Sequence, residues 1–139
     1  MDIKPEDLTQ FNAFKTAVAN NATEKGFRGQ MFAGLDETQI RGPIGTCLAV
    51  SVYCANEHGE VSELWESFRA GTLHEPCDKA EKMKAAGLPA LTSAEEEIAD
   101  IIIRALDTAD FLGVDVARAL AVKHAYNRTR PKLHGGKKA

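Results

Sequence analysis

Aromatic residues make up only 6 % of this chain of 139 residues, and valine and isoleucine nowhere alternate with polar residues over a long stretch. Both shortages count against a sheet, whose strands draw on β-branched and aromatic side chains at a period of two. No apolar run approaches the ~20 residues that cross a bilayer. Residues 1–7 lack the apolar stretch of a secretory signal, so neither export nor a membrane partner is expected. A basic excess is missing too. With a net charge of -3 and a pI near 5.8, no stable nucleic-acid binding is expected. The only basic concentration, residues 128–138, reads by composition as a solvated tail. The three cysteines are odd in number and fit no zinc spacing, which predicts reduced thiols in a cytoplasm. Cys47 and Cys54, seven apart, are expected to share one buried helix face.

Alanine, leucine and charged residues dominate instead, and 44 % of the chain is apolar, enough to offset the ordering cost of folding. The length suits a single domain, residues 1–139, with a basic tail from about residue 131. Neither repeats nor low-complexity linkers occur. Glycine and proline divide the chain into four helical segments. The first spans about residues 5–25, with Pro5 in its first turn and Gly26 as its C-terminal cap. The glycine-rich residues 26–42 read as a loop. The second helix starts at Pro43 and ends near Ala70, capped by Gly71. In it Ile44, Cys47, Leu48, Ala55, Val61, Leu64, Trp65 and Phe68 recur at helical spacing. Residues 71–91, with two prolines and two glycines, form a long connection of the kind that often carries function. The third helix has Thr92 or Ser93 as N-cap, Glu95 and Glu96 three residues on as in a capping box, and Gly113 at its end. Asp115 caps a fourth, which runs to about Arg128 before Pro131. The expected fold class is all-α, a four-helix bundle. Four helices, one of them long, leave a thin core for a single chain, and pairing with a second copy is the natural remedy.

Glu60 and Glu63 are three apart on the second helix, and Glu97 and Asp100 three apart on the third. Such pairs stand on one helix face, one turn apart. If the two helices pack side by side, four carboxylates converge, and cations must neutralise them. Oxygen ligation without cysteine or histidine selects a hard cation, Mg²⁺ or Mn²⁺. On a helical wheel Glu97, Asp100, Arg104 and Asp107 share about one quadrant, beside the apolar arc of Ile98, Ile101, Ile102, Ala105 and Ala109. The competing reading is a solvated charged face with Arg104 paired to Asp100 or Asp107. A di-iron bundle needs a glutamate three residues before a histidine, and none of His58, His74, His124 or His134 has one. Lys123, Asn127 and Arg130 share one side of the fourth helix and its exit, where two cations and an amide can grip phosphate oxygens. The helix dipole alone would also favour basic residues there.

The stretch Glu60-Val61-Ser62-Glu63-Leu64, followed by Glu97-Ile98-Ala99-Asp100, resembles the ExxE…ExxD pattern of the MazG-like, all-alpha nucleoside triphosphate pyrophosphohydrolases. Further landmarks of similar kind are Lys25-Gly26-Phe27 and the run from His58 to Glu66. Pro76-Cys77-Asp78-Lys79 resembles the inter-helix segment of one subgroup, as does the ending from Lys123 to Pro131 with His134-Gly135-Gly136-Lys137. The likeness covers about residues 11–138. It implies a helical homodimer or homotetramer, Mg²⁺ held by Glu60, Glu63, Glu97 and Asp100, and a phosphate grip by Lys123, Asn127 and Arg130. Some members carry a further glutamate where this chain has Gly59, so the water-activating base is open between Glu60 and Glu63. Glu57 stands where relatives carry an apolar residue.

The expected reaction is hydrolysis of a nucleoside triphosphate between the α and β phosphates, giving a monophosphate and pyrophosphate. Positioning and charge stabilisation supply most of the catalysis in such transfers. Trp65 is either a base-stacking surface or core, since it shares an arc with Val61 and Phe68; Phe27, Phe32 and Tyr126 carry the same ambiguity. Cys77, with no histidine neighbour, reads as an incidental loop thiol. A carboxylate at Glu57 is costly unless satisfied. Either it pairs with Arg41 or Arg69, or it lines the base pocket and accepts from the adjacent donors of guanine, which makes dGTP and GTP the first substrates to test. The competing class is non-enzymatic: a helical dimerisation module whose acidic face binds a metal or a basic partner.

Overall fold

The computed structural model describes residues 3–131, and every regular element among them is helical. A short 3₁₀ turn, Pro5–Leu8, leads into α1 (Thr9–Glu24), α2 (Phe27–Met31), α3 (Glu37–Arg41), α4 (Pro43–Ala70), α5 (Ala80–Ala85), α6 (Ser93–Phe111) and α7 (Val116–Thr129). The four long helices stand where the sequence places them. The basic tail beyond Pro131, with His134 and Lys137, lies outside the described residues. None of the described helices is long and apolar enough to cross a membrane.

Local chemistry accounts for the boundaries. Gly26 and Gly71 adopt φ of 81° and 73° after α1 and α4, a left-handed conformation that side chains resist. Thr92 and Glu95 close the capping box of α6, with Glu95 Oε2 accepting from the Thr92 amide at 2.8 Å. Asp115 accepts from the Arg118 amide at 3.1 Å and starts α7. The expected loop over residues 26–42 is a correction: it holds α2 and α3. The overlooked signal is a second capping box, in which Asp36 accepts from the Gln39 amide at 2.8 Å while the Gln39 side chain accepts from the Asp36 amide at 3.0 Å. The corner between α3 and α4 requires Gly45, because a Cβ there would stand 2.0 Å from the Ile40 carbonyl oxygen.

The central unit is an antiparallel pair, α4 with α6. Thr108 donates to Glu57 at 2.7 Å and Arg104 to Glu60 at 2.9 Å, in descending order along α6 as α4 ascends. α1 packs on α6, and α7 packs on the 3₁₀ turn and α1. Asn12 fixes that second junction by donating to Asp115 at 2.9 Å and accepting from the Val116 amide at 2.9 Å. The core consists mainly of small residues, among them Ala19, Ala22, Ala49, Ala80, Ala117 and Ala121, with Tyr53 and Leu106 as its largest members. Cys47 and Cys54 do share a face of α4, but that face is exposed, which corrects the expectation of burial. Trp65 and Phe68, candidates for core, are each 57 % exposed. Ala49, Tyr53 and Glu60 take the buried side of α4 instead, and Ile44 and Val61 are exposed with Trp65 and Phe68.

Candidate metal centre

α4 presents Glu60 and Glu63 one turn apart, and α6 presents Glu97 opposite them. One carboxylate oxygen from each lies within 4.8 Å of the others. Asp100 follows one turn after Glu97 and borders this triad without entering it. Glu60 and Glu97 are buried, and Glu63 is exposed. Burial and the charges of Glu63, Glu96 and Glu60 push the Glu97 carboxyl up to about 7, against the opposing pull of Lys79. Burial and the Glu60 charge raise Asp100 as well. Glu97 Oε2 is buried without any hydrogen-bond partner. A buried orphan oxygen among like charges is unfavourable by itself and well suited to a cation.

Two cations stand on the cluster, and the sequence reading weighs the charge of only one of them, Arg104. Arg104 Nε donates to Glu60 Oε1 at 2.9 Å, and not to Asp100 or Asp107, the partners of the competing reading of a solvated charged face. Asp107 is held by Arg28 at 2.6 Å instead. The other cation is Lys79, paired with the buried Glu96. The segment that carries it is docked firmly. The Cys77 amide donates to the Leu91 carbonyl at 3.0 Å, the Ser93 amide to the Glu75 carbonyl at 3.0 Å, and Cys77 and Ala80 are buried. Burial raises the Cys77 thiol, which suits an unreactive structural residue. The signal for Lys79 was its motif, Pro76-Cys77-Asp78-Lys79; spacing alone could not join it to Glu96, seventeen residues on. Among the described residues Glu60, Glu63, Glu96, Glu97 and Asp100 are met by Lys79 and Arg104, so carboxylates outnumber cations.

Lys79→Met is expected to tighten Mg²⁺ binding severalfold, because a competing positive charge leaves the cluster. It should also lower stability by about 1–2 kcal/mol, since Glu96 is left buried and unpaired while the lysine end was half solvated. Calorimetric titration with Mg²⁺ checks this, and an unchanged affinity would detach Lys79 from the centre.

The remaining candidates are dispersed. Lys123, Asn127 and Arg130 are exposed on α7 and its exit, on the helix that packs against α1 and the 3₁₀ turn. Lys123 lies over the Tyr126 ring, 5.2 Å from its centroid. Glu57 pairs with neither Arg41 nor Arg69, which bind Glu37 and Glu66. Its partner is Thr108. Trp65 and Tyr126 face solvent, Trp65 stacked on Phe68 with centroids 5.3 Å apart.

A cavity of about 540 Å³ lies between α1, α2, α4 and α6, walled by Phe14, Phe27, Met31 and Val52 and lined also by Arg28, Tyr53, Asn56 and Arg104. Tyr53 Oη and Arg28 Nε are buried beside it without partners. Asn56 and Arg104 each stand one turn from the cluster, from Glu60 and Asp100 respectively, so the cavity adjoins the carboxylates. Phe27 lines it; Glu57, Trp65 and Tyr126 do not. Nothing matches this chain in comparisons with protein-family models, with curated proteins or with solved structures.

Proposed function

We propose that this chain is a Mg²⁺-dependent nucleoside triphosphate pyrophosphohydrolase of the MazG-like kind, acting as a homo-oligomer. The observation that carries the reading is the partnerless, buried Glu97 oxygen facing Glu60 and Glu63. An all-carboxylate set fits Mg²⁺, with Mn²⁺ as substitute, and a divalent ion there would supply charge neutralisation and a reactive water. Glu60, Glu63 and Glu97 would hold it, with Asp100 completing the set. Arg104 fixes the Glu60 carboxylate, which leaves the exposed Glu63, outside the ion pairs of the cluster, to orient the attacking water. Attack at the α-phosphorus breaks its bond to the bridging oxygen, and pyrophosphate departs. Lys79 and Arg104, which pair with carboxylates of the cluster, would meet the charge that develops on the phosphates. Lys123, Asn127 and Arg130 remain proposed phosphate ligands on the likeness in sequence. The adjoining cavity has the size and the apolar walls for a nucleoside. A guanine reading by Glu57 would need its bond to Thr108 to yield.

The test is release of pyrophosphate from a panel of ribo-, deoxyribo- and modified triphosphates, beginning with dGTP and GTP. Release from at least one of them in Mg²⁺, abolished by EDTA, is expected. The second reading, a non-enzymatic dimerisation module with a metal-binding acidic face, predicts Mg²⁺ binding with no pyrophosphate from any nucleotide.

A further inference from the structure

The cavity beside the carboxylates carries polar groups that the chain's own bonds do not use. Tyr53 on α4 and Arg28 on α2 both line it. Tyr53 is 2 % exposed, yet its Oη has no hydrogen-bond partner, and neither has the buried Arg28 Nε. The hydroxyl and the guanidinium are neighbours, but neither free atom is bonded to the other. Buried polar groups are nearly always paired, so two orphans at one cavity point to a partner from outside the chain. Their place along the fold fits a nucleotide. Tyr53 precedes Glu60 by two turns, about 10 Å along α4, a distance that a nucleoside spans from base to α-phosphate.

The chemistry of that partner follows from charge and protonation. Arg28 gives its Nη2 to Asp107 at 2.6 Å and to Asp110 at 3.0 Å. Two carboxylates already meet its charge, and an anionic group in the cavity would face Asp107, which lines it too. A neutral acceptor suits the place better. Arg28 Nε only donates. Burial raises the Tyr53 hydroxyl above its ordinary range, so it keeps its proton and donates as well. Two neighbouring donors fit one carbonyl oxygen, which has two lone pairs, whereas a ring nitrogen has one. We propose that Tyr53 Oη and Arg28 Nε bind a carbonyl oxygen of the nucleobase, so that guanine, uracil, thymine or cytosine nucleotides are taken and adenine nucleotides rejected. Adenine has no carbonyl and would leave a donor buried and unpaired, a loss that separates substrates more sharply than a change of apolar bulk. Both donors are closed to solvent, so the base must displace part of the wall. The wall that yields is α2 with Phe27, which is 61 % exposed. This helix has five residues and stands between Gly26 and Gly34, left-handed at φ of 81° and 84°.

This assignment rests on the reading of the centre as a pyrophosphohydrolase site, and binding tests it apart from catalysis. The probes are the uncleavable α,β-imido analogues of dGTP, dUTP, dCTP and dATP, titrated calorimetrically onto the full chain in Mg²⁺. At least one carbonyl-bearing analogue should bind about tenfold or more tighter than that of dATP. Tyr53→Phe deletes only the oxygen. It should weaken that analogue by about tenfold or more and leave the adenine analogue unchanged. The melting temperature of the protein by itself should stay the same or rise, because the hydroxyl bonds to nothing there. Arg28→Lys keeps a cation for Asp107 and Asp110 but lacks the Nε donor, and should change binding in the same way. The proposal is overturned if the adenine analogue binds as tightly as the best of the others, or if Tyr53→Phe weakens all four alike. It is overturned too if Tyr53→Phe lowers the melting temperature, as loss of a structural hydroxyl would. Pyrophosphate release from dATP as fast as from the other triphosphates would sink the carbonyl assignment and leave the reaction standing. Base-selective binding with no release from any triphosphate would do the reverse.

Discussion

Replacing Glu97 by Gln is expected to lower pyrophosphate release by more than about a hundredfold, because even residues behind a metal ligand cost 10–100-fold when lost. The same change should stabilise the metal-free protein. The Glu97 carboxyl sits at about 7 in the folded chain against an ordinary value near 4.5. A carboxyl raised on folding costs nothing below its unfolded pKa, where both states hold the proton. The cost grows from pH 4.5 upward and is complete above pH 7. In EDTA at pH 8 the Gln variant should therefore be more stable than the wild type by on the order of 2–3 kcal/mol, and the gap should close near pH 4. Mg²⁺ must displace the same proton, so wild-type affinity should fall as pH drops below 7, with proton uptake by the buffer. Thermal unfolding across pH with and without Mg²⁺ measures both effects. An active variant, or one destabilised equally at every pH, would remove Glu97 from the centre.

The carboxylate pairs were legible because i, i+3 spacing is a property of one helix, and the long helices because caps such as Thr92 with Glu95, Asp115 and Gly71 are local chemistry. What the sequence could not convey is phase and partnership. α4 is apolar on more than one side, so periodicity marks it as a helix without saying which side meets the core. Cys54 consequently lies on an exposed side, against expectation, and Trp65 and Phe68, candidates for core, are exposed too. Ion pairs across the fold are equally invisible to spacing. Arg104 had two acidic neighbours on its own helix and turns to Glu60, forty-four residues back. Lys79 reaches Glu96 only because the segment from Leu73 to Ser93 folds back on itself through the isolated Pro76–Thr92 bridge. Glu57 found a hydroxyl in place of a cation. The cavity beside the cluster depends on α2, which hides within a glycine-rich stretch.

Arg28, on that short helix, carries the other large expected effect. It binds Asp107 at 2.6 Å and Asp110 at 3.0 Å, seventy-nine and eighty-two residues away. The pair is well shielded, with side-chain exposure of 21 % for Arg28 and 12 % for Asp107. Removing the cation leaves two carboxylates facing each other in a poorly hydrated place, and lost partners of that kind cost about 3 kcal/mol. Arg28→Met, which keeps the bulk of the stem, should therefore lower the melting temperature by roughly 10 °C. Exposed pairs behave differently. Arg41 lies at a similar 2.9 Å from Glu37, but both side chains are 78 % exposed, and Arg41→Met should change stability by less than about 0.5 kcal/mol. Adding Asp107→Asn to Arg28→Met should recover part of the loss, since the charge that lost its partner is gone. Calorimetric and denaturant unfolding of the three variants decide the matter. Equal losses for Arg28→Met and Arg41→Met would mean that burial does not set the worth of the Arg28 pair, and no recovery in the double variant would mean that Arg28 acts through packing, not charge.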